Sequence, residues 1–438
     1  MTSISWACIL CGVYACIFWG VEREDFLVLF SLFTVAFIFQ LFPFSSWGSG
    51  SRPLLFVGTG LIIRIMAVSS LPTLSEDIYR YIWDGYLSQE GISPYAYTPD
   101  ECINLFSIQE HPLIHSLYPH LNSASYYSVY PPAAQTFFTF GGWLGALWGI
   151  AAAVIGLKSL FYMVELGAWI VLYKLFEIQK TDDKWFWALW LNPFLILEWN
   201  FSGHIESLTA SFIIAGVFLL QMKKNYLSGL LLALAVLVKL WPLLFAPFFM
   251  KYIKTSKELY KWISAFILIG VIGSLAFLLQ PEYFIHFKSS LDLYFKTFEF
   301  NASVYYLFRA IGIWWYGYNP IHLIGPLCAF IMMVFCIFLY RTRIVLEIPQ
   351  LMDSILLCGF VYLLFATTVH PWYLSIILPF AYLNGRISII IWSYLIFASY
   401  HAYRYDPVKE DLLIIVSTYS IVIMAILIEF KMKKPVIQ

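Results

Sequence analysis

Apolar residues fill most of the chain in long runs that short polar segments separate. A membrane-spanning helix needs about 20 apolar residues, and several runs are shorter than that, which predicts helices that are tilted, broken or half-spanning. The pattern predicts an all-α fold, a polytopic transmembrane helical bundle of about 12–14 membrane segments, some of them short or re-entrant. The runs fall at 4–19, 26–44, 53–71, 133–156, 159–176, 185–199, 207–222, 226–250, 262–280, 321–340, 351–369, 371–385, 388–402 and 411–430.

Basic residues predict the orientation of these segments, because cytoplasmic loops carry the excess of Lys and Arg. With the basic clusters inside, residues 72–132 and 281–320 form long outer loops. Two stretches leave alternatives open. Residues 226–250 either cross twice or dip in and return, and Pro242 and Pro247 predict a break in the helix there. Residues 133–176 cross once or three times. The basic clusters are Lys223/Lys224, Lys251–Lys261, Arg341/Arg343 and Lys431/Lys433/Lys434.

The composition excludes several classes of protein. Of 438 residues, 61% are hydrophobic and only 12% are charged, and no water-soluble domain has that balance. The formal net charge is zero and no basic run is long enough for nucleic acid. The N-terminus lacks the features of a signal peptide and predicts a retained helix. We therefore expect a single membrane domain over residues 1–438, with two additional N-terminal helices in 1–52.

Carboxylates cluster in the stretch SEDIYRYIWDGYLSQEGISPY at 75–95. Ser75 can cap a helix with acidic residues in its first turn, and Gly91 and Pro94 can end it. Helical spacing predicts an amphipathic interfacial helix with its aromatic residues toward lipid. Its polar face is either solvated, with i,i+4 ion pairs, or catalytic, and spacing alone leaves both open. That face carries Asp77, Arg80, Tyr81 and Asp84.

The order of motifs resembles that of the GT-C glycosyltransferases, and most closely that of bacterial polyprenol-phosphate-mannose-dependent mannosyltransferases. The first motif, D-x-Y-R-Y-x-W-D-G followed by G-x-x-P-Y, lies in the loop after an early helix. Each motif is loose, but their order is specific. The others are Y-P-P-A-A-Q at 130–135, N-P-F-L-I-L-E at 192–198, G-H-I-E-S at 203–207, K-L-W-P at 239–242, F-N-A-S-V-Y-Y-L at 300–307 and H-P-W-Y-L at 370–374.

The resemblance implies that an acidic residue of the first outer loop is the catalytic base. Asp77 matches that position, and the adjacent Glu76 is the alternative. An inverting transfer needs one carboxylate to take the proton of the acceptor hydroxyl as its oxygen attacks the anomeric carbon. The phosphate leaving group is already a good anion, so it needs cationic or hydrogen-bonding partners and no general acid.

Further polar residues are candidates for substrate binding, each beside a structural alternative. Lys239 lies within apolar sequence, where an ionisable residue suggests function, although it could also extend to the interface. His204 and Glu206 could contact a sugar or phosphate, or cap helix ends. The predicted substrate-binding residues are Arg80, Tyr81, Asp84, His204, Glu206, Lys239, Asn301, Arg309 and His370.

No metal site is assigned, because His111, His115 and His120 have spacings that fit no tight ligand set. Whether the protein uses a divalent metal is left open, since some membrane glycosyltransferases use one. The predicted activity is transfer of a hexose, with mannose favoured, from a polyprenyl-phosphate sugar to a lipid or glycan acceptor. Membrane lipids are the other partners. The expected location is the bacterial inner membrane, with the active site on the extracytoplasmic side.

Two other functions are weighed against this one. A transporter or lipid-linked sugar flippase would also have broken helices, but it predicts polar residues at the bilayer midplane and an internal repeat. A polysaccharide polymerase or ligase would share the polyprenyl substrate and use diphosphate-linked donors. The acceptor, the linkage and the oligomeric state have no signal in the sequence.

Overall fold

The fold is all-α, as the hydrophobic pattern predicts. A computed structural model describes residues 3–44, 53–105 and 111–432, and within these ranges the elements are helices and turns with no strand. Extended backbone pairs at one isolated bridge, between Phe300 and Thr368. Because a helix satisfies its own backbone hydrogen bonds, an all-helical chain is the expected arrangement for a lipid environment.

Six helices are long and apolar enough to cross a membrane, or up to seven if 183–201 and 206–221 are one broken span. Shorter apolar helices occur at Pro53–Ser69 and Asn225–Val238. The chain is therefore a polytopic integral membrane protein. The predicted total of 12–14 segments also counts short and re-entrant ones and stays a prediction. The six long helices are Ser3–Gly20, Phe26–Phe44, Ile150–Gln179, Ile321–Thr342, Ile348–Phe365 and Leu412–Glu429.

The chain divides into two compact units, described here one at a time. The first unit falls within residues 1–66, 173–198 and 295–438. Several of its helices are the long apolar spans, whose outward side chains are apolar and exposed. Its α-helices, together with the long helices that the two units share, are α1 (Ser3–Gly20), α2 (Phe26–Phe39), α3 (Pro53–Ser69), α8 (Ile150–Gln179), α9 (Asp183–Trp190), α10 (Pro193–Leu195), α17 (Val304–Tyr316), α18 (Ile321–Thr342), α19 (Ile348–Phe365), α20 (Leu378–Leu383), α21 (Ile387–Leu395) and α22 (Leu412–Met432).

The second unit falls within residues 67–172 and 199–294. It holds most of the polar residues predicted for the site. The prediction of one GT-C-like domain over residues 1–438 stays a prediction. The α-helices of this unit are α4 (Asp77–Gln89), α5 (Pro99–Cys102), α6 (Pro112–Leu117), α7 (Pro132–Trp148), α11 (Glu206–Gln221), α12 (Asn225–Val238), α13 (Ala246–Tyr252), α14 (Ser256–Gly273), α15 (Leu275–Leu279) and α16 (Pro281–Lys296).

Helix α4 differs in two ways from its prediction. It begins at Asp77 rather than at Ser75, with Glu76 as the N-cap residue. The Ser75 hydroxyl oxygen still accepts a hydrogen bond from the Asp77 backbone N–H at 3.3 Å. Of the two alternatives for its polar face, the solvated one is excluded, and the expected lipid-facing position of its aromatic residues is wrong, because every residue from Ile78 to Leu87 is buried. The segments around 113–138 and 153–161 pack over α4, and the periodicity of one helix carries no information about such neighbours.

Helices α4 and α7 meet backbone to backbone at two glycines. A Cβ atom at Gly85 would overlap the carbonyl oxygen of Phe138, and one at Gly142 would overlap the backbone N of Tyr86. Only residues without a side chain allow helices to approach so closely. The close contact fixes α4 against α7 along its middle and C-terminal half.

The predicted break in 226–250 is confirmed. Helix α12 ends at Val238, a 3-10 helix covers Trp241–Phe245, and α13 begins at Ala246. Proline at 242 cannot continue a regular helix, which explains the interruption. Residues 133–176 fall in α7 and α8, and of these two helices only α8 is a candidate span.

Candidate functional site

The candidate site lies at the N-terminus of α4, where three charged side chains from separate segments come together. Asp77 is in the first turn of α4, Glu206 is in the first turn of α11, and Lys239 follows the end of α12. The charges of Glu206 and Lys239 both act on the Asp77 carboxyl group. The structure therefore brings together three of the residues that the sequence predicts.

Glu206 and Lys239 form an ion pair through Oε1 and Nζ. Glu206 is only 1% exposed, whereas the Lys239 side chain is 20% exposed. The second carboxylate oxygen of Glu206, Oε2, is buried and has no hydrogen-bond partner among the residues that the structure describes. A buried charged oxygen without a partner is costly, so this atom is suited to accept a hydrogen bond from a ligand.

The pKa of Asp77 is raised from 3.8 to about 7. Burial is the largest cause, and the negative charge of Glu206 is the next. Lys239 acts in the opposite direction, and Glu76 adds a smaller increase. A carboxyl group with a pKa near neutrality can take up a proton during a reaction and release it afterwards, which is the property of a general base.

Tyr81 lies one turn after Asp77 and faces the same carboxylates. Its ring stacks on Phe138 with the ring centroids 4.4 Å apart. Burial, followed by the charges of Asp77 and Glu206, raises the pKa of Tyr81 well above its usual range. The phenol therefore stays protonated and neutral beside the acidic pair.

Arg80 and Asp84 form a second polar cluster further along α4. Arg80 Nε donates to Asp84 Oδ1 at 2.8 Å, and both side chains are buried. The Arg80 guanidinium also donates to the carbonyl oxygens of Ser123 and Tyr126, at 2.9 and 3.0 Å. This pair ties the segment before α7 to the middle of α4.

His204 and Glu76 flank the three-residue cluster. His204 is fully buried in the turn before α11, and its carbonyl oxygen accepts a hydrogen bond from the Ser207 backbone N–H at 3.2 Å. Glu76 stands directly before Asp77 at the N-cap of α4 and remains partly exposed. Whether these residues contact substrate stays a prediction.

Asn301, Arg309 and His370 belong to the first unit. The Asn301 side chain donates to the Val369 carbonyl oxygen at 3.2 Å. Arg309 pairs with Glu299 at 3.2 Å. The His370 ring lies parallel to the ring of Trp372, with the centroids 4.5 Å apart. Their predicted contacts with substrate stay predictions.

The three histidines of the first outer loop do not converge on a metal site. His111 Nδ1 accepts a hydrogen bond from the Leu113 N–H at 3.2 Å and caps α6. The His120 ring stacks on Tyr79 at 4.6 Å. Over residues 3–44, 53–105 and 111–432, no three His, Cys, Asp or Glu side chains are grouped so that they could hold a metal ion.

Three residues in this region were missed by the sequence analysis. The Ser128 hydroxyl and the Gln135 amide both donate to Asp84 Oδ2, at 2.5 and 3.2 Å. Gln135 lies in the Y-P-P-A-A-Q motif, which was the available signal. Lys158, buried in the middle of α8, is an ionisable residue in an apolar helix, and that alone could have indicated it.

The region that contains this cluster of charged residues is similar to a known protein family. Residues 64–254 match the model of the MptA_B family, described as alpha-(1->6)-mannopyranosyltransferase, N-terminal domain. No curated protein and no solved structure matches the chain. The matched residues include all three members of the charged cluster. The match supports mannosyl transfer as the general activity and a likeness to the GT-C mannosyltransferases.

Proposed function

We propose that the protein is an inverting glycosyltransferase that moves a hexose, with mannose favoured, from a polyprenyl-phosphate sugar to a lipid or glycan acceptor. The observation that carries the proposal is the raised pKa of Asp77, about 7, within a buried cluster of opposite charges. Such a pKa suits a base that must be ionised before the reaction and protonated after it. The family match supports the class of sugar.

In the proposed reaction, the acceptor hydroxyl oxygen attacks the anomeric carbon from the face opposite the phosphate. The new carbon–oxygen bond forms as the bond between the anomeric carbon and the phosphate oxygen breaks. The phosphate leaves with the electron pair of that bond, and the hydroxyl proton passes to Asp77. Because a single displacement occurs, the configuration at the anomeric carbon inverts.

The neighbours of Asp77 have separate roles in this proposal. Glu206 Oε2 accepts a hydrogen bond from a sugar hydroxyl, since it is buried and no described residue donates to it. Lys239 is partly exposed and supplies positive charge toward the leaving phosphate. Arg80 and Asp84 serve the site by holding the segment around Ser123.

We further propose that the active site faces the extracytoplasmic side of a bacterial inner membrane. The basic clusters flank 226–250 on both sides, and Lys239 lies at the break between its two halves. If both ends of residues 226–250 are cytoplasmic, the break between the two halves lies toward the extracytoplasmic side of the membrane. Placing the base near lipid fits a donor whose carrier is a polyprenyl chain.

The test is sugar transfer by the purified full-length protein in lipid nanodiscs. Polyprenyl-phosphate mannose is supplied with a panel of lipid and glycan acceptors, with and without EDTA. We expect transfer with inversion, determined from the anomeric coupling in the product, and a rate that rises with pH through about 7. Retention of configuration would contradict the single displacement.

Variants assign the base. Asp77→Asn should abolish transfer while donor binding persists, and Glu76→Gln should retain most of the rate. Glu90→Gln is the matched control, because Glu90 is an exposed carboxylate at the other end of α4. If Asp77→Asn kept wild-type turnover and Glu76→Gln had none, Glu76 and not Asp77 would be the base. A folded wild type that transfers nothing, yet moves the lipid-linked sugar between leaflets, would favour the transporter.

A further inference from the structure

Lys158 is a buried lysine of α8. It is 1% exposed, and its Nζ donates to the carbonyl oxygens of Ala67 and Ser70 at 2.6 and 2.8 Å. These carbonyls lie at the end of α3, where helix geometry leaves the last carbonyls without their regular backbone donors. The Ala67 carbonyl oxygen also accepts a hydrogen bond from the Ser70 hydroxyl at 2.8 Å. A lysine inside an apolar helix is costly, so its retention calls for a role that an apolar residue could not fill.

The alkyl stem of Lys158 packs against the turn before α11. Gly203 in this turn has a φ of +75°, and a Cβ atom there would lie 2.9 Å from Ile78 Cδ1 and 3.0 Å from Lys158 Cγ. The ammonium group also lies 5.6 Å from the centre of the Phe201 ring. Gly203 is therefore held between the stem of Lys158 and the first turn of α4.

These contacts join the segments that carry the two carboxylates of the site. Ser70 begins the segment that leads into α4, and Ile78 directly follows Asp77. Gly203 precedes Glu206 by three residues, and the charge of Glu206 acts on Asp77. The separation of the two carboxylates therefore depends on how the two segments are held against Lys158.

We propose that Lys158 is a positioning residue for the transfer reaction, holding the N-terminus of α4 and the Gly203 turn so that Asp77 stays buried beside Glu206. The inference rests on the proposed function, in which Asp77 is the base. Lys158 acts through its hydrogen bonds and packing and does not touch substrate. Without it, the two segments separate and water reaches the base.

The first experiment compares Lys158→Met, which keeps the length of the stem and removes the donors, with Lys158→Arg, which keeps donors. Lys174→Met is the matched control, because Lys174 is an exposed lysine on the same helix. We expect Lys158→Met to lower kcat at least about tenfold while KM for the donor changes less than about threefold. Lys158→Arg should recover part of the rate, and the control should match wild type.

The pH dependence distinguishes positioning from a direct effect of charge. Loss of burial lowers the pKa of Asp77, so the acidic limb of the kcat profile should move to lower pH in Lys158→Met. A direct electrostatic effect on Asp77, from removal of a positive charge without structural change, would move the limb to higher pH. The titratable groups around Asp77 that contribute to this profile are Glu76, Tyr81, Glu206 and Lys239.

A second variant and a second measurement distinguish a loss of positioning from misfolding. Gly203→Ala disturbs the same contact from the turn and leaves the Lys158 side chain unchanged, so it should give the same downward shift. The ionisation of Asp77 is also read without activity, as the pH midpoint of the Tm difference between each protein and its Asp77→Asn counterpart. An unchanged midpoint and profile in both variants would overturn the inference. Absence of transfer by wild type would overturn the proposed function, while the midpoint would still decide the role of Lys158.

Discussion

Two aspartates of α4, Asp77 and Asp84, lie two helical turns apart and have opposite environments. Asp84 is fully buried and accepts hydrogen bonds from Arg80, Ser128 and Gln135. Asp77 keeps some accessible surface, and its carboxyl group is destabilised in its charged form by burial and by Glu206. Both residues come from the same motif, yet only one of them has partners that satisfy its charge.

The comparison separates a structural carboxylate from a reactive one. A carboxylate that accepts several hydrogen bonds is held in one place, which suits a role in stability. A carboxylate that is buried beside another acid binds a proton more readily and is available for chemistry. The sequence motif alone does not distinguish the two aspartates.

The largest expected effect is on turnover. Asp77→Asn should reduce kcat by about 10³-fold, the contribution expected of a general base, while the protein stays folded. Asp84→Asn should reduce transfer only as far as it reduces the folded fraction. Single-turnover rates, divided by the folded fraction from size-exclusion chromatography, test this. Equal losses in both variants would erase the proposed distinction.

The pH dependence of thermal stability tests the raised pKa of Asp77 independently of activity. Since the folded pKa of Asp77, about 7, exceeds its ordinary value of 3.8, the folded state binds the additional proton between these values. Its stabilising contribution is complete below pH 3.8 and is lost as the pH rises to about 7. Asp77→Asn should therefore gain Tm relative to wild type as the pH rises, measured in nanodiscs. A difference that is constant with pH would contradict the raised pKa.

The next largest effect is the loss of stability in Asp84→Asn. The substitution leaves the buried Arg80 without its ion-pair partner, which should cost about 3 kcal/mol or more. Reversible denaturation in mixed micelles measures this cost. Asp100→Asn is the control, because Asp100 is an exposed carboxylate whose side chain accepts a hydrogen bond from the Tyr118 hydroxyl at 2.7 Å but has no buried cation beside it among the residues that the structure describes. A cost as small as that of the control would mean that the pair is not needed for stability.

A smaller effect concerns the pH profile of transfer. Glu206→Gln removes the charge that raises the pKa of Asp77, so the acidic limb should move to lower pH. Lys239→Met removes the charge that lowers it, so the limb should move to higher pH. Each shift should be on the order of one pH unit. Shifts in the same direction would mean that the two charges do not act on the base.

The smallest expected effect is that of Ser128→Ala. The Ser128 hydroxyl donates to Asp84 and accepts from the Gln135 amide at 2.8 Å, so its loss should cost about 1 kcal/mol. Ser116→Ala is a suitable comparison, because that serine is exposed and bonds only within its own turn. The denaturation midpoint of Ser128→Ala should therefore be lower than that of Ser116→Ala.

Local pattern predicted a large part of the fold. Run length and hydrophobicity predicted the membrane helices, and Pro242 predicted the break beside Lys239. The helix that carries Asp77, Arg80 and Asp84 was also predicted. The burial of its polar face was not, because Ser128 and Gln135 lie 44 and 51 residues from Asp84. Hydrogen bonds at such separations leave no periodic signal in the sequence.

The positioning of the site was the part least accessible to prediction. Lys158 bonds to backbone carbonyls about 90 residues earlier in the chain, and carbonyl oxygens have no residue type to recognise. The Gly203 contact depends equally on tertiary packing. The only signal at Lys158 in the sequence is that a lysine in an apolar helix is energetically unfavourable, and this signal does not predict which groups the lysine contacts.

The glycine contacts between α4 and α7 determine which parts of the site can move. At Gly85 and Gly142 the two backbones touch directly, so no side chain can rearrange to let one helix slide along the other. The helix that carries Asp77, the proposed base, is therefore held firmly against α7. We expect the sugar and its lipid carrier to enter and leave through displacement of connecting segments, with the helix that bears Asp77 as the stationary reference.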